Sequence, residues 1–174
     1  AYPHRYAFAI DKLRGGPMLW SRMRLVENHA GNHLGGHPNH IQIAVDIGGS
    51  RPLQIFALHL DWPLIHGQAM QLRDFDRFAK RVHHPLVVLG DFNAAPWSAA
   101  VARVETVTGT RILGGLRRTW RGGVGGGRRL IPIPFGLSID HMLVSPGIGA
   151  AQVETFDVPG SDHLGIRAVL KVPL

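Results

Sequence analysis

The sequence predicts a layered α/β (α+β) sandwich, and three observations carry that prediction. His40 to Ile47 alternates, with Ile41, Ile43, Val45 and Ile47 on one face and His40, Gln42, Ala44 and Asp46 on the other, the period of a half-buried strand. Leu53 to Leu60 is apolar on both faces, as a strand inside a covered sheet must be. From Gly67 to Val82 the period lengthens: Leu72, Phe75, Phe78, Ala79 and Val82 recur at helical spacing opposite Arg73, Asp74, Asp76, Arg77, Lys80 and Arg81. Strands in pairs with helices between some of them favour a sandwich over a purely parallel sheet.

The elements follow in order. Gly48, Gly49 and Ser50 form a turn that joins the first two strands as a hairpin. His83, His84 and Pro85 end the amphipathic helix, and Leu86 to Leu89, followed by Gly90, reads as a short buried strand. Ser98 is placed to cap a second helix running to about Val107. Gly109 to Gly136 is rich in glycine and proline and reads mostly as loop. Ile139 to Val144 and Ile166 to Val172 read as two further buried strands. There is no internal repeat and no compositional break, so residues 1–174 are expected to form one domain.

Composition narrows the function classes. The 174 residues are 45% hydrophobic and 18% charged, which is globular rather than disordered. With no cysteine, disulfides, thiolate metal sites and a cysteine nucleophile are excluded. No apolar run approaches the roughly 20 residues of a membrane-spanning helix, and Ala1 to Ile10 lacks the layout of a signal peptide. The net charge of +7 rests almost wholly on arginine, a balance that suits an anionic partner and that a GC-rich genome would also produce. The basic residues are concentrated: Thr106 to Ile139 contains no acid but holds Arg111, Arg117, Arg118, Arg121, Arg128 and Arg129.

Polar residues gather at the ends of the predicted strands, where a sandwich has its open rim. They are His59 in Leu58-His-Leu-Asp-Trp-Pro63, Asp91 and Asn93 in Gly90-Asp-Phe-Asn93, Asp140 in Ile139-Asp-His-Met-Leu143, and Asp162 and His163 in Ser161-Asp-His163. Any one of these alone reads as a turn former or surface residue.

Together and in this order they resemble the endonuclease/exonuclease/phosphatase superfamily, whose members carry GDFN after a buried strand, an IDxxL strand and a terminal SDH. The segment around His59 is similar to the family's upstream histidine motif, and Leu19-Trp20-Ser21-Arg22 is similar to its LSR strand, so the resemblance runs from about Tyr2 to the C-terminus. It implies a four-layer sandwich of two mixed β-sheets packed face to face and flanked by helices, with the active site at one rim. It also implies roles. Asp91 takes a proton from water or holds a metal, and Asn93 orients the nucleophile or contacts a phosphate oxygen or the metal. Asp162 is a metal ligand. Asp140 hydrogen-bonds His163, and His163 with His59 contacts the phosphate and assists the leaving group. Hard oxygen donors and the absence of cysteine favour Mg²⁺ or Mn²⁺.

The implied activity is hydrolysis of a phosphate ester by metal-assisted attack of water, the chain being a phosphodiesterase, nuclease or phosphatase. The family's metal-binding glutamate, in a QE motif, and an asparagine before it would precede Tyr2 to Tyr6, and neither is found. Glu27 falls after the LSR-like segment, the wrong place to replace the glutamate. The resemblance therefore implies a longer parent whose first strands are missing here, and a chain that alone binds metal weakly, turns over poorly and is prone to pair as a homodimer through an open sheet edge. The alternative is a non-catalytic module of the same fold that binds phosphate or nucleic acid.

The substrate is an anionic phosphate compound, either nucleic acid or a lipid-linked phosphate. The arginine stretch suits the former. For the latter, Asp91 to Ser98 and Ile139 to Ser145 are similar to bacterial membrane-anchored members, which implies an anchor outside this chain and an extracytoplasmic location.

Three further features are set aside. His29, His33 and His37 are spaced by four, but Gly31, Gly35, Gly36 and Pro38 break the helix that a zinc site at that spacing needs, leaving a histidine- and glycine-rich loop. The run from Gly122 to Gly127 lacks the Lys and Ser/Thr of a P-loop. Trp62, Trp97 and Trp120 could stack on a base or line a lipid groove, and buried packing is the commoner use.

Overall fold

The computed structural model describes residues 1–7, 17–31, 39–63, 67–79, 81–124, 131–132 and 135–173. In chain order its elements are β1 (His4–Ala7), β2 (Met18–Ser21), β3 (Leu25–Gly31), β4 (Asn39–Val45), β5 (Leu53–His59), α1 (Gly67–Ala79), β6 (Leu86–Asp91), α2 (Ala99–Thr108), β7 (Arg111–Ile112), β8 (Gly123–Val124), β9 (Ile131–Pro132), β10 (Asp140–Val144), β11 (Gly149–Asp157) and β12 (Leu164–Lys171).

Six of these strands form one mixed sheet in the order β3-β4-β5-β6-β10-β7. Every neighbouring pair is antiparallel except β5 with β6. A parallel pair cannot be closed by a tight turn, and α1 supplies the crossover. Alternation along β5, β6 and β10 then sends side chains to two different layers. Phe56, Leu58, Leu86, Val88 and Leu143 face the helices, where they meet Phe75 and Ala79 of α1 and Ala100, Val101 and Val104 of α2. Phe56 and Phe75 meet edge to face with centroids 5.7 Å apart. Burying side chains of this size is worth roughly 1.5–3 kcal/mol each, so this layer holds the sheet flat against its helices.

The opposite face is covered by two hairpins. At one end Ile41, Ile43, Val45 and Ala57 pack with Tyr6 of β1 and Leu19 of β2. At the other, Leu53, Val87, Val144 and Ile148 pack with Leu170 of β12 and Val172 beyond it. The β1–β2 and β11–β12 pairs are separate two-stranded sheets. The chain is thus the expected α+β sandwich; among the described residues the second sheet is represented by these hairpins, and both helices lie on one side.

Several elements differ in detail from the sequence expectations. All seven residues of β4 are buried, not one face only. Its polar face is covered by the segment after α1: Gln42 Nε2 donates to the Arg81 carbonyl at 2.9 Å, and on β5 Gln54 Oε1 accepts from the His83 amide at 2.7 Å. Helix α1 is described over Gly67–Ala79, and Val82, expected to be its last residue, is not helical. Six strands were not foreseen: β1, β3 and β11, and the two-residue β7, β8 and β9 inside the segment read mostly as loop; β12 begins two residues early and is only half-buried. Helix α2 is capped as expected, the Ser98 hydroxyl accepting from the Val101 amide at 3.2 Å and Gly109 closing the C-terminus in the left-handed conformation. His33, His37, Gly125, Gly126, Gly127, Arg128 and Arg129 lie outside the described residues, as do the side chains of Glu27 and His29.

Candidate active site

Strand register builds the centre of the site. His59, the last residue of β5, pairs with Asp91, the last of β6, and Asp91 pairs in turn with Asp140, the first of β10. Three residues distant in sequence thus share one rung at one rim of the sheet. His59 Nε2 lies 3.7 Å from Asp91 Oδ2. Gly90 makes the rung possible: its φ is +140°, and a Cβ there would overlap the Leu58 carbonyl oxygen of the neighbouring strand. Only glycine tolerates both the conformation and the approach.

Asn93 follows in a tight turn at φ +46°, the left-handed region that asparagine enters more readily than most residues. Its amide donates to Asp91 Oδ1 at 2.8 Å. Its side-chain Nδ2 donates to the Leu60 carbonyl at 2.7 Å, which fixes the carboxamide, and lies 3.4 Å from His59 Nε2. The GDFN segment therefore aims one carboxylate and one carboxamide at the same point.

His163 reaches the rung from the position just before β12. Its Nδ1 is 2.9 Å from Asp140 Oδ2 and 3.1 Å from Oδ1. A carboxylate only accepts, so Nδ1 carries the proton and Nε2 is the nitrogen left for a ligand. The expected Asp140–His163 hydrogen bond is present. Thr119 supports it from below, its hydroxyl oxygen accepting from the amides of Ile139 and Asp140 at 3.1 and 3.0 Å. Asp162 precedes His163 and accepts from the Trp120 indole N–H at 2.8 Å. Trp120 also lies against His163, with ring centroids 6.4 Å apart.

The electrostatics follow from this crowding. Burial pushes the Asp91 carboxyl above the usual carboxylate range; the Asn93 amide pulls it back, and Asp140 raises it further. Burial works against charge on His163, but its hydrogen bond to Asp140 and then the charges of Asp140, Asp91 and Asp162 outweigh it, so its imidazolium persists above the ordinary histidine range. The indole N–H holds Asp162 below the usual range. The rim is acidic and carries one stabilised cation.

Asp91, Asp140 and His163 each bring a ligand atom within 4.8 Å of the others, a group that could hold a metal ion once the His163 ring is neutral. Asp162 is not part of that group. Two neighbouring carboxylates whose shared burial raises the proton affinity of one of them fit a hard divalent ion, which would take the place of the proton.

All six residues predicted from the sequence, His59, Asp91, Asn93, Asp140, Asp162 and His163, thus come to one rim. Sequence reasoning missed Trp120 as the partner of Asp162, Thr119 beneath Asp140, and His141, whose buried Nε2 is 2.7 Å from the Ala94 carbonyl. It also missed Gln68, whose Nε2 donates to the carbonyls of Asp61 and Phe92 and ties α1 to the loops after β5 and β6. Of the three tryptophans weighed above, Trp120 is buried, but Trp97 is 77% exposed, contrary to the packing expectation, because it stands on the loop after Asn93 rather than in a strand.

The model of the Endonuclease/Exonuclease/phosphatase family matches residues 1–163. In structure the chain is similar to an endonuclease/exonuclease/phosphatase family protein from Leptotrichia buccalis C-1013-b, at 12% identity and a TM-score of 0.63 over 97% of this chain and 70% of that one. It is also similar to the 3' phosphatase NExo from Neisseria bound to product DNA hairpin, at 21% identity and a TM-score of 0.60 over 88% of this chain and 74% of that one. A third likeness is to D. rerio TDP2 complexed with single strand DNA product, at 19% identity and a TM-score of 0.59 over 89% of this chain and 71% of that one. No curated protein matches the sequence. At these identities the structural likeness speaks for the fold.

Proposed function

The chain belongs to the endonuclease/exonuclease/phosphatase family, and from that premise we propose that it is a divalent-metal-dependent hydrolase of phosphate esters. The observation that carries the reading is the single rung His59–Asp91–Asp140 with His163 bonded to Asp140. Hydrolysis of a phosphate ester needs an activated water, neutralised phosphate charge and help for the leaving oxygen, and the rim holds a group suited to each.

Asp91 accepts the proton of the attacking water, a role that its raised proton affinity favours. Asn93, held by Leu60 and beside Asp91, orients that water or a phosphate oxygen. His163, kept charged by Asp140, offers its Nε2–H to the phosphate or the leaving oxygen, and His59 contacts the phosphate from the other side of Asp91. Asp91, Asn93 and Asp162 are the proposed donors for Mg²⁺ or Mn²⁺, which when bound supplies charge neutralisation.

Hydrolysis of an activated phosphodiester by the full-length protein, with Mg²⁺ or Mn²⁺ and with EDTA, tests the reading. Asp91→Ala or His163→Ala is expected to lower turnover at least about 10²-fold, the scale of losing a general acid or base. Metal-independent turnover, or an alanine variant at either position with near-normal turnover, would oppose it.

A further inference from the structure

We propose that the groove beside the catalytic rim selects phosphate esters that carry a long apolar chain. The inference rests on the hydrolase reading above for the phosphate end and on separate residues for the rest of the substrate. A groove of about 710 Å³ opens at Asn93 and runs out between the loop after β6 and the segment before β10. Its walls carry large apolar side chains that, among the described residues, stand open to solvent: Trp97 is 77% exposed, Leu116 70%, Phe135 87% and Trp62 39%. Single exposed apolar residues need no explanation, but four around one groove mark a binding surface.

The charge on those walls decides between substrates. A nucleic-acid strand repeats its phosphate at every nucleotide and is bound by grooves that track the repeats with lysine and arginine. Among the described residues lining this groove, Arg118 alone is charged. The aromatics could stack on bases, but Leu116 has no π-face, and Trp62 already meets the Trp120 ring edge to face at 5.7 Å. One charged residue among large apolar side chains in the described lining, beside a rim that takes the phosphate, matches an amphiphile with a single phosphate or pyrophosphate head. Continuity with the site is direct, since Trp62 touches Trp120 and Trp120 lies against His163.

Binding of non-hydrolysable phosphonates to the full-length protein, followed by tryptophan fluorescence and calorimetry, separates the possibilities. Octylphosphonate, kept below its micellar concentration, is compared with ethylphosphonate and with a short oligothymidylate. Each fully buried methylene is worth roughly fourfold in affinity, so even partial burial of the longer chain is expected to make octylphosphonate bind at least about 30-fold more tightly than ethylphosphonate. The double substitution Leu116→Ser with Phe135→Ser removes two exposed side chains, a change the fold tolerates, and is expected to cut that ratio to about threefold.

Equal affinities for the two phosphonates, tighter binding of the oligothymidylate, or an unchanged ratio in the double variant would overturn the assignment. Chain-length-dependent binding without hydrolysis of any phosphate ester would support the groove and remove the enzymatic reading instead. Sedimentation with phosphatidate-containing vesicles then separates a chain drawn from a bilayer, which pellets the protein, from a soluble amphiphile, which does not.

Discussion

The imidazole of His163 is held by Asp140 through both carboxylate oxygens, Nδ1 lying 2.9 Å from Oδ2 and 3.1 Å from Oδ1. That contact joins the rim of the central sheet to the connection between the two strands of the last hairpin, and it sets both the tautomer and the charge of the histidine. Asp140→Asn keeps the shape but offers an amide that is a weaker acceptor and carries no charge. Turnover of an activated phosphodiester is expected to fall about 10²- to 10⁴-fold, and the His163 imidazole, followed by NMR in EDTA, to titrate at lower pH than in the unaltered protein. Unchanged turnover would remove the pair from the chemistry.

Gly90→Ala tests the rung itself. The new Cβ would overlap the Leu58 backbone oxygen, and φ +140° is a conformation that alanine resists. Strand β5 cannot retreat, because it is hydrogen-bonded on both sides, by β4 and β6. Urea denaturation is expected to show a loss of about 3 kcal/mol or more, the sum of backbone strain and displaced packing. A loss within 0.5 kcal/mol, the range of a neutral surface change, would show that the strands separate more easily than their register indicates.

The parts of this protein that could be read from its sequence are those whose signal is local. GDFN, IDxxL and SDH each sit within a few residues, and α2 carries its own cap and stop in Ser98 and Gly109. Strand β3 was hidden because Asn28, His29 and Gly31 have little strand preference of their own; the ladder with β4 makes the strand, pairing Ala30 with Ile41 and Gly31 with His40. Strand β11 was hidden because its first four residues are exposed and show no alternation. The polar face of β4 looked solvent-facing because its partners, the Arg81 carbonyl and Phe56, which stacks on His40, come from other elements. The pairing of Trp120 with Asp162 was hidden for the same reason, the two being 42 residues apart.

His141 gives the fold a pH-dependent stability. It is buried, and burial outweighs the Ala94 carbonyl and the nearby acids, so its pKa in the folded state is below the ordinary histidine value. Unfolding restores that ordinary value of about 6.5. Between the two the unfolded chain binds the extra proton and the folded one does not, so stability contributed by neutral His141 is full above about pH 6.5 and is lost as pH falls through the unfolded value toward the folded one. Denaturation in EDTA at pH 8 and pH 5.5 is expected to show a smaller loss on acidification for His141→Gln, which can still donate to Ala94, than for the unaltered chain. An identical loss would place the acid sensitivity in other groups.

Trp120→Phe separates the indole N–H from the ring. The tryptophan is 7% exposed and packs against both Trp62 and His163, so phenylalanine keeps part of that packing while removing the donor to Asp162 Oδ2. Asp162, held below the usual carboxylate range by that donor, is then more easily protonated and less firmly held than in the unaltered protein. If Asp162 is a metal donor, its partner orients it, and losing such a partner costs about 10- to 100-fold in metal affinity. Calorimetric titration of the full-length protein with Mn²⁺ is expected to show that loss in Trp120→Phe, with turnover at saturating metal reduced much less. Metal affinity that survives Trp120→Phe, but collapses in Asp91→Asn, would move the metal off Asp162 and onto the Asp91–Asp140–His163 group, whose ligand atoms already lie within 4.8 Å of one another.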